Sequence, residues 1–130
     1  MVRRWFIYIL RCPVTRAIKY IGITSVSLHK RLRDHLYNKD HNPEKAQWIA
    51  WLHSQGLLPL IIRIDTFMGT RAQAEQMERY WTYVYIKAGH DLLNIKHLPA
   101  DKKAFFTFLR NYHEPIKRPF SQETELSISA

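Results

Sequence analysis

Apolar and polar positions alternate along the chain in blocks of two lengths. Trp5-Phe6-Ile7-Tyr8-Ile9-Leu10 is an unbroken apolar run, rich in β-branched and aromatic residues and too short for a helix, which predicts a buried strand. Cys12-Pro13-Val14-Thr15-Arg16 reads as a turn, and Ile18-Lys19-Tyr20-Ile21-Gly22 as the returning strand of an antiparallel hairpin. In Ser25-Val26-Ser27 either serine can cap a helix, on which Leu28, Leu32 and Leu36 recur every four residues. A polar break over 38–43 precedes a second helix at about 44–55, with Ala46, Ile49 and Leu52 on one face and Gly56 as its stop.

Leu60-Ile61-Ile62-Arg63-Ile64-Asp65-Thr66-Phe67 predicts a third strand. Thr70-Arg71-Ala72-Gln73 has the form of a capping box, and a long helix to Gly89 follows, striped by Ala74, Met77, Trp81, Val84 and Ala88. After Leu92-Leu93-Asn94 a last short helix is expected at about 100–112, and the polar stretch from Pro115 onward is expected to fray. The order strand, strand, helix, helix, strand, helix, helix defines a small α+β domain: a three-stranded antiparallel sheet flanked by helices.

Composition narrows the partners. With 46% hydrophobic and 13% aromatic residues, the 130-residue chain has ample material for one packed core. Twenty Lys and Arg against eleven Asp and Glu leave a net charge of +9, which favours an anionic partner, nucleic acid ahead of a membrane surface. A single cysteine, Cys12, excludes an intramolecular disulfide and any zinc finger built on two thiolates, and fits a reducing cytoplasm. The first apolar run, six residues long, is far too short for a signal peptide or a spanning helix, so no membrane association is expected.

Several side chains could carry chemistry. A hairpin centred near Val14 pairs residues whose numbers sum to 28, placing Tyr8 opposite Tyr20; the two are a core aromatic pair or a pair of phenols around one water or phosphate oxygen. Arg31 and His35 lie within roughly 40° of each other on the first helix, flanking its leucine stripe, while Lys30 should be solvated. They form an ordinary basic face or a phosphate-binding fork beside a proton-transferring imidazole. On the long helix Glu78 sits about 80° from the apolar stripe and Glu75 about 140°, so Glu78 is the carboxylate at the core edge, where an arginine or a hard metal ion would stabilise it. His35 and His41 are six apart across a helix end and no local Cys/His pattern exists, which argues against a dedicated zinc site. Trp48 and Trp51 could stack on bases, although core packing suits at least one of them.

Together these clusters resemble the GIY-YIG nuclease superfamily. Phe6-Ile7-Tyr8 stands at the first motif and Tyr20-Ile21-Gly22 at the second. The passage from Tyr20 through Leu36 resembles the family's strand-to-helix segment, with Arg31 at the helix arginine and His35 four residues on. Glu78-Arg79-Tyr80-Trp81 resembles its E-x-x-W motif and Leu92-Leu93-Asn94 its closing L-L-N.

The resemblance implies a catalytic domain over residues 1–98, a helical extension of the same domain over 99–114 and a flexible tail over 115–130. It implies an endonuclease that hydrolyses DNA phosphodiesters, one strand per active site, to a 5′-phosphate and a 3′-hydroxyl, with RNA as another possible substrate. Mg²⁺ or Mn²⁺ on Glu78 would polarise the scissile phosphate, Tyr8 or Tyr20 would take a proton from water, Arg31 would neutralise charge on phosphorus and His35 would relay the proton. Asn94 would orient the substrate or the site. Thr24, Lys30, Arg33, Lys39 and Trp48 are candidate nucleic-acid contacts. The expected state is a monomer in isolation that could dimerise on DNA. The alternative is a catalytically inactive nucleic-acid-binding module on the same fold.

Overall fold

The computed structural model describes residues 1–37, 42–96 and 98–120. Its sheet has three antiparallel strands in the order β2-β1-β3, with β1 at Arg3–Arg11, β2 at Ile18–Thr24 and β3 at Leu60–Gly69. Helices α1 (Leu28–Tyr37) and α2 (Pro43–Ser54) lie between β2 and β3; α3 (Arg71–Lys87), the short α4 (Leu93–Lys96) and α5 (Ala100–Arg110) follow. This is the α+β arrangement that the apolar pattern predicts.

β1 is the central strand and is covered on both faces, which is why its sequence runs apolar without alternation. Ile7 and Ile9 point to one side, into a core shared with Ile21, Met77 and Ile86 of α3, Leu92 and Leu109 of α5. Tyr8 points to the other side, where His35 of α1 meets it. The sheet thus separates an apolar core from a polar, buried cluster.

The hairpin register differs from the expected one. Tyr8 pairs with Gly22, and Tyr20 with Leu10. The turn closes between Cys12 and Ala17, with Arg16 in the left-handed region at φ 65°, which displaces the ladder by one residue. An irregularity between Leu10 and Arg11 displaces it by one more. Because side chains alternate with a period of two, the two displacements together keep both tyrosines on one face, now diagonal instead of opposite.

Helix ends follow their capping chemistry. Ser27, not Ser25, caps α1, its hydroxyl accepting from the Lys30 amide at 3.1 Å. Thr70 and Gln73 form the reciprocal capping box at the start of α3. Asn42 caps α2 by accepting from the Lys45 amide at 3.0 Å and donates to the Leu93 carbonyl at 3.0 Å, tying α2 to α4.

Three expectations need correction. On α3 the buried stripe ends at Ile86, and Ala88 is the exposed C-cap residue beyond the last turn. The buried face of α2 is Lys45, Ile49 and Leu52, and Ala46 is exposed, because a polar partner exists for Lys45 under the sheet. Residues 115–120 do not fray. Ile116 and Phe120 pack on the core, Phe120 stacks on Phe67 at 5.1 Å, and Arg118 pairs with Asp65 at 2.9 Å. Among the described residues, no helix is long and apolar enough to cross a membrane.

Candidate active site

Tyr8 is fully buried at the middle of the sheet, yet its hydroxyl meets two nitrogens of α1. Arg31 Nε donates to it at 3.1 Å, and His35 Nε2 lies 2.6 Å away. The spacing of four residues on α1 makes this possible, since one helical turn stacks the two side chains over the same point. His35 stands edge-on to both tyrosine rings, 5.7 Å from Tyr8 and 5.4 Å from Tyr20. The imidazole therefore bridges the two phenols.

On its far side, His35 Nδ1 lies 2.8 Å from Nζ of Lys45, which is 2% exposed and sits 4.8 Å from the centre of the Tyr20 ring. Lys45 escaped the sequence reading, although its spacing to Ile49 and Leu52 is that of a buried helix stripe. A lysine completing an apolar stripe one turn after an N-cap was the available signal.

Electrostatics follow burial. Desolvation pushes the Tyr8 phenol well above its ordinary range; Arg31 works against the rise, while Tyr20 and Glu78 add to it. Burial disfavours the Arg31 charge, but Tyr8, Tyr20 and Asp34 outweigh it and raise its affinity for the proton. Glu78, half-buried on α3, is raised to about 7, first by burial and then by Glu75, against Arg71, Arg79 and Arg31. Its carboxylate and the Tyr8–Arg31 pair thus feel one another across one site. Trp81, one turn beyond Glu78, donates to Asp65 of β3 at 3.0 Å and fixes how α3 is presented to the sheet.

Asn94 spends its whole amide on the backbone of Ile21. Its Oδ1 accepts from the Ile21 amide at 2.9 Å and its Nδ2 donates to the Ile21 carbonyl at 2.8 Å. This pair of bonds fixes the strand between Tyr20 and Gly22.

The remaining candidates divide. A cavity of about 250 Å³ opens beside Arg31, lined also by Thr24, Lys30, Asp34, Arg71 and Trp5. Thr24 is buried and exchanges hydrogen bonds with Val26, so it shapes the β2-to-α1 turn at the cavity wall. Lys30 is exposed and pairs with Asp34 at 3.8 Å. Arg33 is exposed and does not line the cavity. Trp48 is half-buried against the Cys12 thiol, away from the cavity lining; Trp51 is 44% exposed. Lys39 and His41 lie outside the described residues.

The fold agrees with a family comparison: the model of the GIY-YIG catalytic domain matches residues 4–88, well over half of the chain. The chain belongs to the GIY-YIG family and carries its nuclease-type catalytic domain. No curated protein and no solved structure matches it.

Proposed function

We propose that this protein is a metal-dependent DNA endonuclease that cuts one strand per active site and leaves a 5′-phosphate and a 3′-hydroxyl. The observation that carries the reading is the placement of the Tyr8 hydroxyl between Arg31 and His35 and within the field of Glu78, with Arg31 also lining the cavity that Lys30 and Arg71 share. Such a constellation suits an in-line displacement at phosphorus.

The residues present fit a hard divalent cation. Glu78 is a partly buried carboxylate raised to about 7, and no described residue hydrogen-bonds or ion-pairs its oxygens, so a cation would restore its ionised form. Among the described residues no group of three or more His, Cys, Asp or Glu converges. One carboxylate leaves the other positions to water and substrate phosphate, as Mg²⁺ or Mn²⁺ accepts and a structural zinc does not. When bound, the cation would supply Lewis-acid polarisation of the scissile phosphate and stabilise the leaving 3′-oxygen.

Tyr8 takes a proton from the attacking water. Since burial holds it as a neutral phenol, it acts by passing its own proton to His35 Nε2 as it receives the new one. Arg31, already at the phenol oxygen, offers its remaining N–H groups to the phosphoryl oxygens. Lys30 and Arg71, on the same cavity, face the adjoining phosphates. Asn94 keeps β2 in place while this happens.

Cleavage of a supercoiled plasmid with and without Mg²⁺, by wild type and Glu78→Ala, tests the reading. Metal-dependent cutting lost in Glu78→Ala, with DNA binding retained, is expected. Binding without cutting in the wild type would favour the inactive binding module.

A further inference from the structure

Lys45 is a long basic side chain buried against an imidazole, and the catalytic reading so far gives it no task. We infer that Lys45 is the far end of a proton chain from Tyr8 through His35, a positioning residue and proton store that acts on Tyr8 through the imidazole. The inference rests on the nuclease reading for its consequence, though the chain itself does not.

The contact geometry allows two arrangements with the same number of protons. At 2.8 Å the His35 Nδ1 to Lys45 Nζ contact holds one shared proton, and at 2.6 Å the Tyr8 to His35 Nε2 contact holds another. In the first arrangement Tyr8 is a phenol donating to Nε2, and Nδ1–H donates to a neutral Lys45 amine. In the second, both protons have moved one place: Tyr8 is a phenolate accepting from Nε2–H and from Arg31, and Lys45 is an ammonium donating to Nδ1.

His35 is neutral in both, and only its tautomer changes. The net charge of the buried cluster is also unchanged, so the phenolate forms together with its counter-charge, and the Arg31 guanidinium donates to it directly. The face of the Tyr20 ring, 4.8 Å from Nζ, favours the ammonium form. Tyr20 thereby gains a part in the chemistry without acting as the base.

The proton balance of a turnover is complete. Tyr8 takes a proton from water as the oxygen attacks phosphorus and passes its own through His35 to Lys45; the phosphorus–3′-oxygen bond breaks, and the leaving oxygen takes a proton from solvent. Lys45 then returns its proton through His35 and Tyr8 to water.

Single-turnover cleavage by Lys45 variants tests this, with circular dichroism to confirm folding. Lys45→Met should cut about a hundredfold more slowly, the scale of a general acid–base contribution, with DNA affinity within twofold of wild type. Lys45→Arg should also be slow, because a guanidinium donates a hydrogen bond but stays protonated at working pH and so cannot accept the proton. Small primary amines should restore Lys45→Ala in proportion to their basicity. Wild-type rates in Lys45→Arg, or rescue indifferent to amine basicity, would overturn the proposal and leave Lys45 a packing residue. Should the Met and Ala variants not fold, nitrogen NMR of the metal-free wild type decides. A scalar coupling between His35 Nδ1 and Lys45 Nζ through the shared proton is expected, and its absence overturns the chain. That measurement needs no cleavage, so it separates failure of the chain from failure of the nuclease reading.

Discussion

Tyr8 lies over Gly22, its partner across the β1–β2 ladder, and its phenol fills the volume that a side chain at Gly22 would need. A β-carbon there would collide with the hydroxyl and the adjoining ring carbons. The glycine is required by close approach, not by backbone angle, and it gives Tyr8 room to reach Arg31 and His35.

Gly22→Ala should therefore displace the ring. Overpacking of this kind costs about 1–3 kcal/mol, and the hydroxyl would leave its two nitrogens. A chemical melt should show the destabilisation, and cleavage should fall at least as far as in Tyr8→Phe. An active, fully stable Gly22→Ala would mean that the Tyr8 hydroxyl position is not critical.

Tyr8→Phe removes only a hydroxyl and should lower the cleavage rate about 10²- to 10⁴-fold, the range for a lost acid–base group. Tyr20→Phe keeps the ring that His35 and Lys45 face, so its loss should be clearly smaller. Single-turnover rates of both variants check the order. Equal losses would show that the two phenols share the proton transfer.

Glu78 makes a pH prediction with a definite sign. In the metal-free protein its carboxyl is raised from the ordinary 4.5 to about 7, so between those values the folded state keeps a proton that the unfolded chain has lost. Stability should fall as pH rises through that window and level off above it. Glu78→Gln, uncharged throughout, should lack this decline and should be more stable than wild type at pH 8. Adding Mg²⁺ at pH 8 should raise the Tm of wild type and leave the Gln variant unmoved. Superimposable melting curves for the two proteins would argue against Glu78 as the metal ligand.

Asn94→Ala loses two hydrogen bonds to Ile21, and a cost of about 1–3 kcal/mol is expected. Asn94→Asp keeps an acceptor and loses the donor, so its cost should include repulsion at the Ile21 carbonyl. If Asn94 holds the site, both variants should bind DNA normally and cut slowly. Weakened DNA binding in a stable Asn94 variant would instead point to direct substrate contact.

With a net charge of +9, DNA affinity should fall by roughly tenfold or more between about 50 and about 200 mM salt. A single Tyr8–Arg31–Glu78 site handles one strand at a time, so supercoiled plasmid should pass through a nicked form before it is linear. A time course together with sedimentation of the free protein checks both. Linear product without a nicked intermediate, from a stable dimer, would contradict the monomeric reading.

Much of this was legible in the chain because the signals were local. The unbroken run around Tyr8, the capping box at Thr70 and the spacing of Arg31 to His35 each report on a few neighbouring residues, and the structure keeps them. The hairpin register was not legible, since it depends on Arg16 adopting a left-handed conformation and on an irregularity at Leu10, neither of which side-chain pattern encodes. Lys45 was missed for a different reason. A lysine is read as solvent-facing by default, and only the approach of α2 to α1 beneath the sheet supplies His35 as its partner. The packing of Phe120 and Arg118 was hidden in the same way, by partners on β3 some fifty residues earlier in the chain.

Asn94 has one further effect, on which strand a stranger can join. β2 is an edge strand, and exposed edges invite pairing with other chains. At Ile21, the midpoint of β2, the amide and carbonyl are already taken by a side chain that imitates the next strand. An incoming chain cannot pair continuously along that edge, so the strand that carries Tyr20 is guarded against fibre-like association. β3 is the opposite edge, and its exposed Leu60, Ile62 and Met68 make it the place where self-association would begin under stress. Charged substitutions at Leu60 or Met68 are thus the changes to try first for a better-behaved sample, because they alter solubility at the edge farthest in the sheet from the catalytic hairpin's outer strand.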